Sequence, residues 1–229
     1  MLARALPLFF SHSLALVALA RDASAAPSPF RFHVPAGWTD LSPGQPASSF
    51  EGLDPGLVAE LRSSDRVAAA LDARPDSPTF GALMLAGVEE SPLRADDRTL
   101  ARLAEDVAEG ARRPEVREAV IAEKAIVSLG GVSALRLVLR VAGASFEEER
   151  FIYALPGGTW RATLVYAGTP AVMRAARPTL DAEAARTEGI AAPAPTSQWA
   201  TTALIVLAFG AIAFVASRLG GGNKRRRSA

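Results

Sequence analysis

The chain has 229 residues, no cysteine and a formal net charge of +1 at pH 7. The lack of cysteine excludes disulfides, thiolate metal sites, thiol nucleophiles and lipid attachment through a cysteine. The near-neutral total is a cancellation, because residues 26–198 contain 18 Lys plus Arg and 23 Asp plus Glu, a net charge of −5, whereas residues 218–229 carry +5. Nucleic-acid binding depends on clustered cations, so the acidic part of the chain is not expected to bind nucleic acid.

Residues 1–25 have the pattern of a secretory signal peptide. Arg4 forms a short basic region, an apolar run covers residues 6–20, and Ala23 and Ala25 frame a cleavage site after Ala25. The alternative is an uncleaved N-terminal anchor, but an apolar run of roughly 15 residues is shorter than the ~20 that a spanning helix needs. The sequence therefore predicts export, with a mature chain that begins at residue 26.

The beginning of the mature chain has only weak periodicity. Its predicted elements are a strand at residues 30–34, a turn at 35–37, a short helix at 55–62, and strands at 67–71 and 79–88. Residues 66–72 fit a helix and a strand equally well, because a short apolar run has no decisive period.

An amphipathic helix is predicted to begin near Asp97 and to end at Gly110. Its apolar side chains recur at the i, i+3 and i+4 spacing of a buried stripe. They are Leu100, Leu103, Ala104, Val107 and Ala108.

Residues 123–166 alternate between apolar and polar side chains and are interrupted by turn residues, which predicts an antiparallel meander. Gly130 and Gly131 join the first two strands as a hairpin, residues 143–144 form the next turn, and residues 156–159 form the last. One predicted apolar face consists of Leu135, Leu137, Leu139 and Val141. A second consists of Trp160, Ala162, Leu164 and Tyr166.

A second helix is predicted to follow the meander and to continue to about residue 186. Thr169 supplies a capping hydroxyl, and Pro170 occupies the first helical position. Its expected apolar face consists of Val172, Ala176, Leu180 and Ala184. Pro178 is expected to kink or split this helix, because proline removes a backbone donor and clashes with the preceding turn.

PsbP-like domains open with an aromatic strand followed by P-x-G-W, and this chain resembles that pattern at residues 30–38, F-R-F-H-V-P-A-G-W. The family includes the photosystem II extrinsic protein P and the DcrB lipoproteins. The order of predicted elements is similar too, so the resemblance covers most of residues 30–186. It implies an α+β fold, an antiparallel meander sheet flanked by helices, and a role in binding or assembly without a shared catalytic constellation.

The opening pattern also has a purely structural interpretation. Phe30 and Phe32 point to one face of a strand, and Trp38 folds back over them after the turn. The functional alternative makes Trp38 an exposed platform on which a ligand stacks.

Residues 199–217, which begin at Trp199, are apolar and uncharged over a length that predicts a transmembrane helix. An Ala/Pro linker at 189–198 precedes them, and five cations follow: Arg218, Lys224, Arg225, Arg226 and Arg227. These cations predict a cytoplasmic tail at 218–229 and an extracytoplasmic domain at 26–188. The alternatives are a buried helix of a soluble domain and, for the tail, a nucleic-acid or localisation patch.

No catalytic, cofactor or metal site is assigned. The mature chain has one histidine, His33, and a Ser-His-Asp arrangement would have to recruit it without a G-x-S-x-G motif. Acidic clusters could supply calcium ligands or paired acids, although solvated surface and, for Asp96 and Asp97, a helix start are the favoured interpretations. The clusters are Glu89–Glu90, Asp96–Asp97, Glu105–Asp106 and Glu147–Glu148–Glu149.

These patterns together predict a membrane-anchored extracytoplasmic module of the cell envelope that serves in binding or assembly and is not an enzyme. Its expected partners are the lipid bilayer and an envelope protein or small ligand. The alternative is a carboxylate-based envelope hydrolase that acts through the cluster at residues 147–149.

Overall fold

The computed structural model of the chain describes residues 28–53, 55, 58, 59, 61, 67–112, 114 and 116–193. The described strands are β1 (Thr39–Asp40), β2 (Ala68–Leu71), β3 (Leu83–Glu89), β4 (Val116–Leu129), β5 (Val132–Gly143), β6 (Glu147–Gly157) and β7 (Trp160–Gly168). They form one antiparallel sheet in the order β1-β2-β3-β7-β6-β5-β4. The helices are α1 (Asp97–Gly110), α2 (Pro170–Ala185) and a 3-10 turn (Ala47–Phe50).

The predicted meander is confirmed as β4 to β7, which are joined in sequence by short turns. Gly130 and Gly131 have φ angles of 58° and 83°, the left-handed pair that matches the twist of a two-residue hairpin. The first strand of the meander, β4, begins at Val116 and is therefore longer than predicted, since the meander was expected to begin at residue 123. Its register shifts near Val116 and again between Ile121 and Glu123, and these bulges interrupt the alternation that would have marked the strand.

Both faces of the sheet are buried, each beneath one helix. The predicted face at Leu135, Leu137, Leu139 and Val141 packs with α1 in one core. The predicted face at Trp160, Ala162, Leu164 and Tyr166 packs with α2 in a second core. We call these the α1 face and the α2 face. The antiparallel sheet flanked by helices is thus confirmed, whereas the predicted transmembrane helix at 199–217 lies outside the described residues. No helix in the described residues is long and apolar enough to cross a membrane.

Both predicted helices form, and each has a side-chain cap at its N-terminus, of which the Thr169 cap was predicted. The Asp96 carboxylate accepts a hydrogen bond from the Thr99 N–H at 2.8 Å, and Thr169 caps α2. Pro178 does not split α2, because the helix continues from Pro170 to Ala185; the alternative, a kink at Pro178, stays a prediction. Side chains on both sides of Pro178 are buried against the sheet and keep α2 in place. The first of them is Met173, whereas Val172 was predicted. These side chains are Met173, Ala176, Leu180 and Ala184.

Residues 30–34 do not form the predicted strand. Arg31 makes one isolated antiparallel bridge with Glu188, through backbone bonds of 3.2 and 3.0 Å. The pairing cannot continue towards Val34, because the antiparallel partners of residues 32–34 would be residues 187–185, and the helix α2 ends only at Ala185. Phe30 and Phe32 nevertheless share a face, since their rings stack with centroids 6.1 Å apart.

The other predicted elements before α1 are present, but some of them begin or end at residues other than those predicted. The ambiguous run at 66–72 contains strand β2, whose four residues all pair with β3. The strand predicted at 79–88 begins only at Leu83, because the Thr79 hydroxyl is bound at 2.6 Å to Asp72 in the preceding loop. Residues 55, 58, 59 and 61 are helical, within the predicted helix at 55–62.

The predicted linker at 189–198 begins too early. The Ala191 N–H donates to the Pro156 carbonyl at 2.9 Å, and Ile190 packs against the α2-face core. Residues 189–191 therefore belong to the domain. The rest of the predicted linker, from residue 194 on, lies outside the described residues.

The opening turn is fixed by a neighbouring arginine. Gly37 has a φ of 80°, and the Trp38 N–H closes the turn on the Pro35 carbonyl at 3.0 Å. The Arg74 guanidinium lies so close to Gly37 that a Cβ there would be 2.8 Å from Cζ. Glycine is thus needed for the backbone angle and for the approach of Arg74, which in turn binds the buried Asp72.

We expect Gly37→Ala to destabilise the domain more than Gly44→Ala. Gly44 has a similar φ of 91° but no atom near its missing Cβ, so alanine there introduces only left-handed strain of about 1–2 kcal/mol. Alanine at position 37 adds the displacement of Arg74 from a buried carboxylate, a further loss of at least about 1 kcal/mol. Urea unfolding measures both. Equal losses would show that the contact between Arg74 and the turn contributes nothing.

Candidate functional site

The residues that carried the predicted topology lie outside the described residues. They are Trp199, Arg218, Lys224, Arg225, Arg226 and Arg227. The predicted signal peptide at 1–25 lies outside them as well. The membrane topology therefore stays a prediction.

The acidic cluster at 147–149 is not the solvated surface that we favoured. Glu147 is exposed, but Glu148 and Glu149 are only 5% and 7% exposed. Glu148 lies on the α1 face, where it accepts a 2.6 Å bond from the Arg150 Nε. Glu149 lies on the α2 face and accepts a 2.8 Å bond from the Arg140 Nε. Burial of a carboxylate requires such a cation partner, which the alternation of the strand supplies two residues away or on the next strand.

The other candidate residues from the sequence, which are acidic side chains, His33 and Trp38, lie at the surface or make contacts that support the fold. Glu105 and Asp106 are exposed on α1, as predicted, and Glu89 accepts a 3.0 Å bond from the Arg161 Nε. His33 lies at the surface, 3.6 Å from a Glu188 carboxylate oxygen. Trp38 is half-buried in the α2-face core, as its structural interpretation predicted, but the ring that it meets, edge-on at 6.4 Å, is that of Tyr166; a contact over Phe30 and Phe32 stays a prediction.

A polar cluster that the sequence did not reveal joins α2 to the sheet. We call Glu123, Arg136, Tyr153, Arg177 and Asp181 the Arg136 cluster. One guanidinium nitrogen of Arg136 donates to both Asp181 oxygens, at 3.0 and 2.7 Å, and the other binds Glu123. The Tyr153 hydroxyl donates to Asp181 at 2.9 Å. Arg177 binds the second Glu123 oxygen while lying 5.6 Å from the centre of the Phe151 ring.

A β-bulge brings Glu123 into this cluster. Ile121 pairs with Leu139 on the α1 face, and strict alternation would place Glu123 on that face too. The register shift between them instead pairs Glu123 with Val138, a residue of the α2-face core. Bulges commonly redirect a side chain in this way, and here the bulge supplies the carboxylate that Arg136 and Arg177 share.

The electrostatics of the Arg136 cluster favour a structural role, in which it holds α2 on the sheet, over a catalytic role. Burial alone would raise the pKa of the Glu123 carboxyl, but hydrogen bonds from Arg177 and Arg136 outweigh burial and lower that pKa. Burial and the adjacent Asp181 raise the pKa of the Tyr153 hydroxyl, which therefore stays protonated and donates. Two cations and two carboxylates cancel, and both carboxylates are engaged by arginine. Such a cluster aligns α2 on the sheet.

A second polar cluster organises the loop between β2 and β3. Asp72 is fully buried and accepts bonds from Arg74 Nε at 2.9 Å, Ser77 Oγ at 2.5 Å and Thr79 Oγ1 at 2.6 Å. Burial would raise the pKa of this carboxyl, but the hydrogen bonds from Arg74, Ser77 and Thr79 together hold it well below its ordinary value. Asp72 is thus a charged anchor for the loop. In the part of the chain that the structure describes, no three metal-binding side chains come together.

The edge of the sheet at β4 is the most open feature of the described domain. β4 has 14 residues and pairs on one side with β5; on its other side the described residues provide no partner strand. Val120 and Ile126, both on β4, are 45% and 40% exposed. An edge of this length presents backbone donors and acceptors that an extended segment can bind.

We expect Tyr153→Phe to lower the free energy of unfolding by about 1 kcal/mol, because the half-exposed Asp181 carboxylate loses a part-buried hydrogen bond. Tyr166→Phe is the matched control: Tyr166 is equally buried, but its hydroxyl has no hydrogen bond within the described residues. Chemical denaturation of the two variants measures the difference. A Tyr153→Phe domain as stable as the parent would mean that the arginines alone hold α2.

The Asp72 loop predicts acid sensitivity. A carboxyl whose pKa is lower in the folded state stabilises the fold above its ordinary pKa, and this contribution disappears as the pH falls through the folded-state value. Asp72→Asn should therefore be less stable than the parent at about pH 7, and the gap should narrow below about pH 4. Denaturation curves across that range test this, with exposed Asp76→Asn as control. A gap independent of pH would contradict the assignment.

The comparisons with known proteins bear on the fold. No family model and no curated protein matches the chain. The solution structure of cyanobacterial PsbP (CyanoP) from Synechocystis sp. PCC 6803 aligns with a TM-score of 0.45 and 12% identity over 75% of this chain and 99% of that one. The Saccharomyces cerevisiae Ran-binding protein Mog1p aligns with a TM-score of 0.46 and 12% identity over 71% and 90%.

A third structure is a Pseudomonas aeruginosa protein of unknown function described as a putative regulator. It aligns with a TM-score of 0.39 and 14% identity over 53% of this chain and 78% of that one. Since all three TM-scores lie below 0.5, membership of the PsbP-like family stays a prediction from residues 30–38 and the element order.

Proposed function

We propose that this protein is a membrane-tethered binding or assembly module of the cell envelope, with a PsbP-like domain that binds a protein partner along the edge of β4. The tether is the apolar segment at 199–217, and the cations that follow it orient the domain outward. The observation that carries the binding role is the open edge of β4.

An open edge strand binds partners by main-chain hydrogen bonds. An extended segment that adds to the sheet pairs its backbone with the unpaired groups of the edge, and side chains then supply specificity. The other long strands cannot serve in this way, because β3, β5, β6 and β7 each have a neighbour on both sides. The opposite edge, β1, has only two residues and offers too short a ladder.

The rival proposal from the sequence, a carboxylate hydrolase, finds less support in the geometry. Paired catalytic acids must flank one substrate bond from a shared cleft. Glu148 lies on the opposite face of the sheet from Glu147 and Glu149. Glu148 and Glu149 are in addition bound to arginines.

The proposal predicts a defined crosslink from the β4 edge in intact cells. A benzophenone amino acid at Ser128, an exposed residue of β4, should give one major product with a second protein in the membrane fraction. Ile126→Asp should abolish this product, because a strand added at the edge would bury an unpaired charge.

Val67→Asp is the matched control, since Val67 is also 40% exposed but precedes β2, away from β4. It should leave the crosslink unchanged. The binding role is wrong if Ser128 gives products as heterogeneous as those from a probe at Thr159, in the turn between β6 and β7. Recovery of the full chain outside the membrane fraction would refute the tether.

A further inference from the structure

The part of β4 that can accept a partner strand is its second half. Residues 123–129 pair one-to-one with residues 132–138 of β5, without a bulge, whereas register shifts disturb the first half. Bulges and twists protect an edge from pairing. A partner segment therefore lies along the seven regular residues from Glu123 to Leu129.

Two side chains are available to recognise this segment. Lys124 and Ile126 lie opposite Leu137 and Leu135 and hence on the α1 face. The helix α1 shares its core with Val116, Ala119 and Ile121, in the first half of the strand, so it does not cover them. Lys124 is exposed and Ile126 is 40% exposed. On the other face, Glu123 is already held by Arg136 and Arg177.

We propose that β4 binds an extended segment of the partner protein that places an acidic side chain opposite Lys124 and an apolar side chain opposite Ile126. Residues that share a face of a strand are two positions apart, so the segment contains the pattern acidic-x-apolar in one direction or the other. Cross-strand pairs of opposite charge and of apolar side chains are the units that stabilise a sheet. This inference rests on the proposed binding role and names the chemistry of the partner.

A second copy of this chain does not fit the same edge. An antiparallel copy would continue the same face of the sheet, where its β4 presents Val116, Ala119, Ile121, Lys124, Ile126 and Ser128. None of these is acidic, so Lys124 would meet no opposite charge. The complementary occupant is a different protein.

The chain allows a direct test, because Lys124 is its only lysine outside the basic tail, which contains Lys224. A carbodiimide condenses an amine with an adjacent carboxylate, whereas arginine does not react. Treatment of native membranes should therefore join Lys124 of the full-length chain to the partner's acidic residue. Lys124→Arg should lose this amide-linked product yet keep the Ser128 benzophenone crosslink, because the charge remains.

Lys124→Glu should lose the amide-linked product and reduce the Ser128 crosslink several-fold, because like charges directly opposite destabilise strand pairing. Mass spectrometry should place the linked carboxylate two residues from an apolar side chain. The inference fails if the Ser128 crosslink forms but Lys124 couples to nothing, to a carboxylate without that neighbour, or to a second copy of this chain. Absence of a defined Ser128 crosslink would instead refute the proposed function.

Discussion

The contact between Arg136 and Asp181 is the interaction on which the arrangement of the domain depends. It joins strand β5 to the fourth turn of α2 through two hydrogen bonds from one Arg136 nitrogen, and it leaves the second nitrogen for Glu123. The Arg136 side chain is only 16% exposed, and a guanidinium so far removed from water needs such partners. Apolar packing holds α2 on the sheet, and the contacts of the Arg136 cluster also set its position along the helix axis. The same cluster contains side chains from β4, β5 and β6 and therefore aligns these strands.

The features that follow from local periodicity could be predicted from the sequence. The alternation at Leu135 to Val141 gave the two faces of β5, and Asp96 and Thr169 marked the helix starts, because these signals lie within a few residues of one another. The strand at 30–34 failed for the opposite reason. Its aromatic alternation was correct, but a strand also requires a partner, and the end of α2 at Ala185 leaves room for only a single bridge.

The polar clusters could not be predicted from the sequence, because they join residues from elements that are distant along the chain. Glu123 and Asp181 are separated by 58 positions, and only the bulge after Ile121 places Glu123 on the face of Arg136. Glu148 and Glu149 looked like surface residues because their cation partners are recognisable only once the strands are paired. One signal was present: an arginine between buried leucines on β5 needs acidic partners from somewhere in the fold.

The Arg136 cluster also has a mechanical consequence. If the domain is held at Ala191 and a partner strand is bound at β4, any pulling force between them must cross from the C-terminal segment to the far edge of the sheet. Part of that load enters the sheet directly at β6, through the bond from the Ala191 N–H to the Pro156 carbonyl, and part enters through α2, which ends just before residues 188–191. From α2, side-chain bonds continue from Asp181 to Arg136 and then to Glu123 on β4 itself. The Arg136 cluster therefore lies on one of the routes that would carry tension in an anchored adaptor.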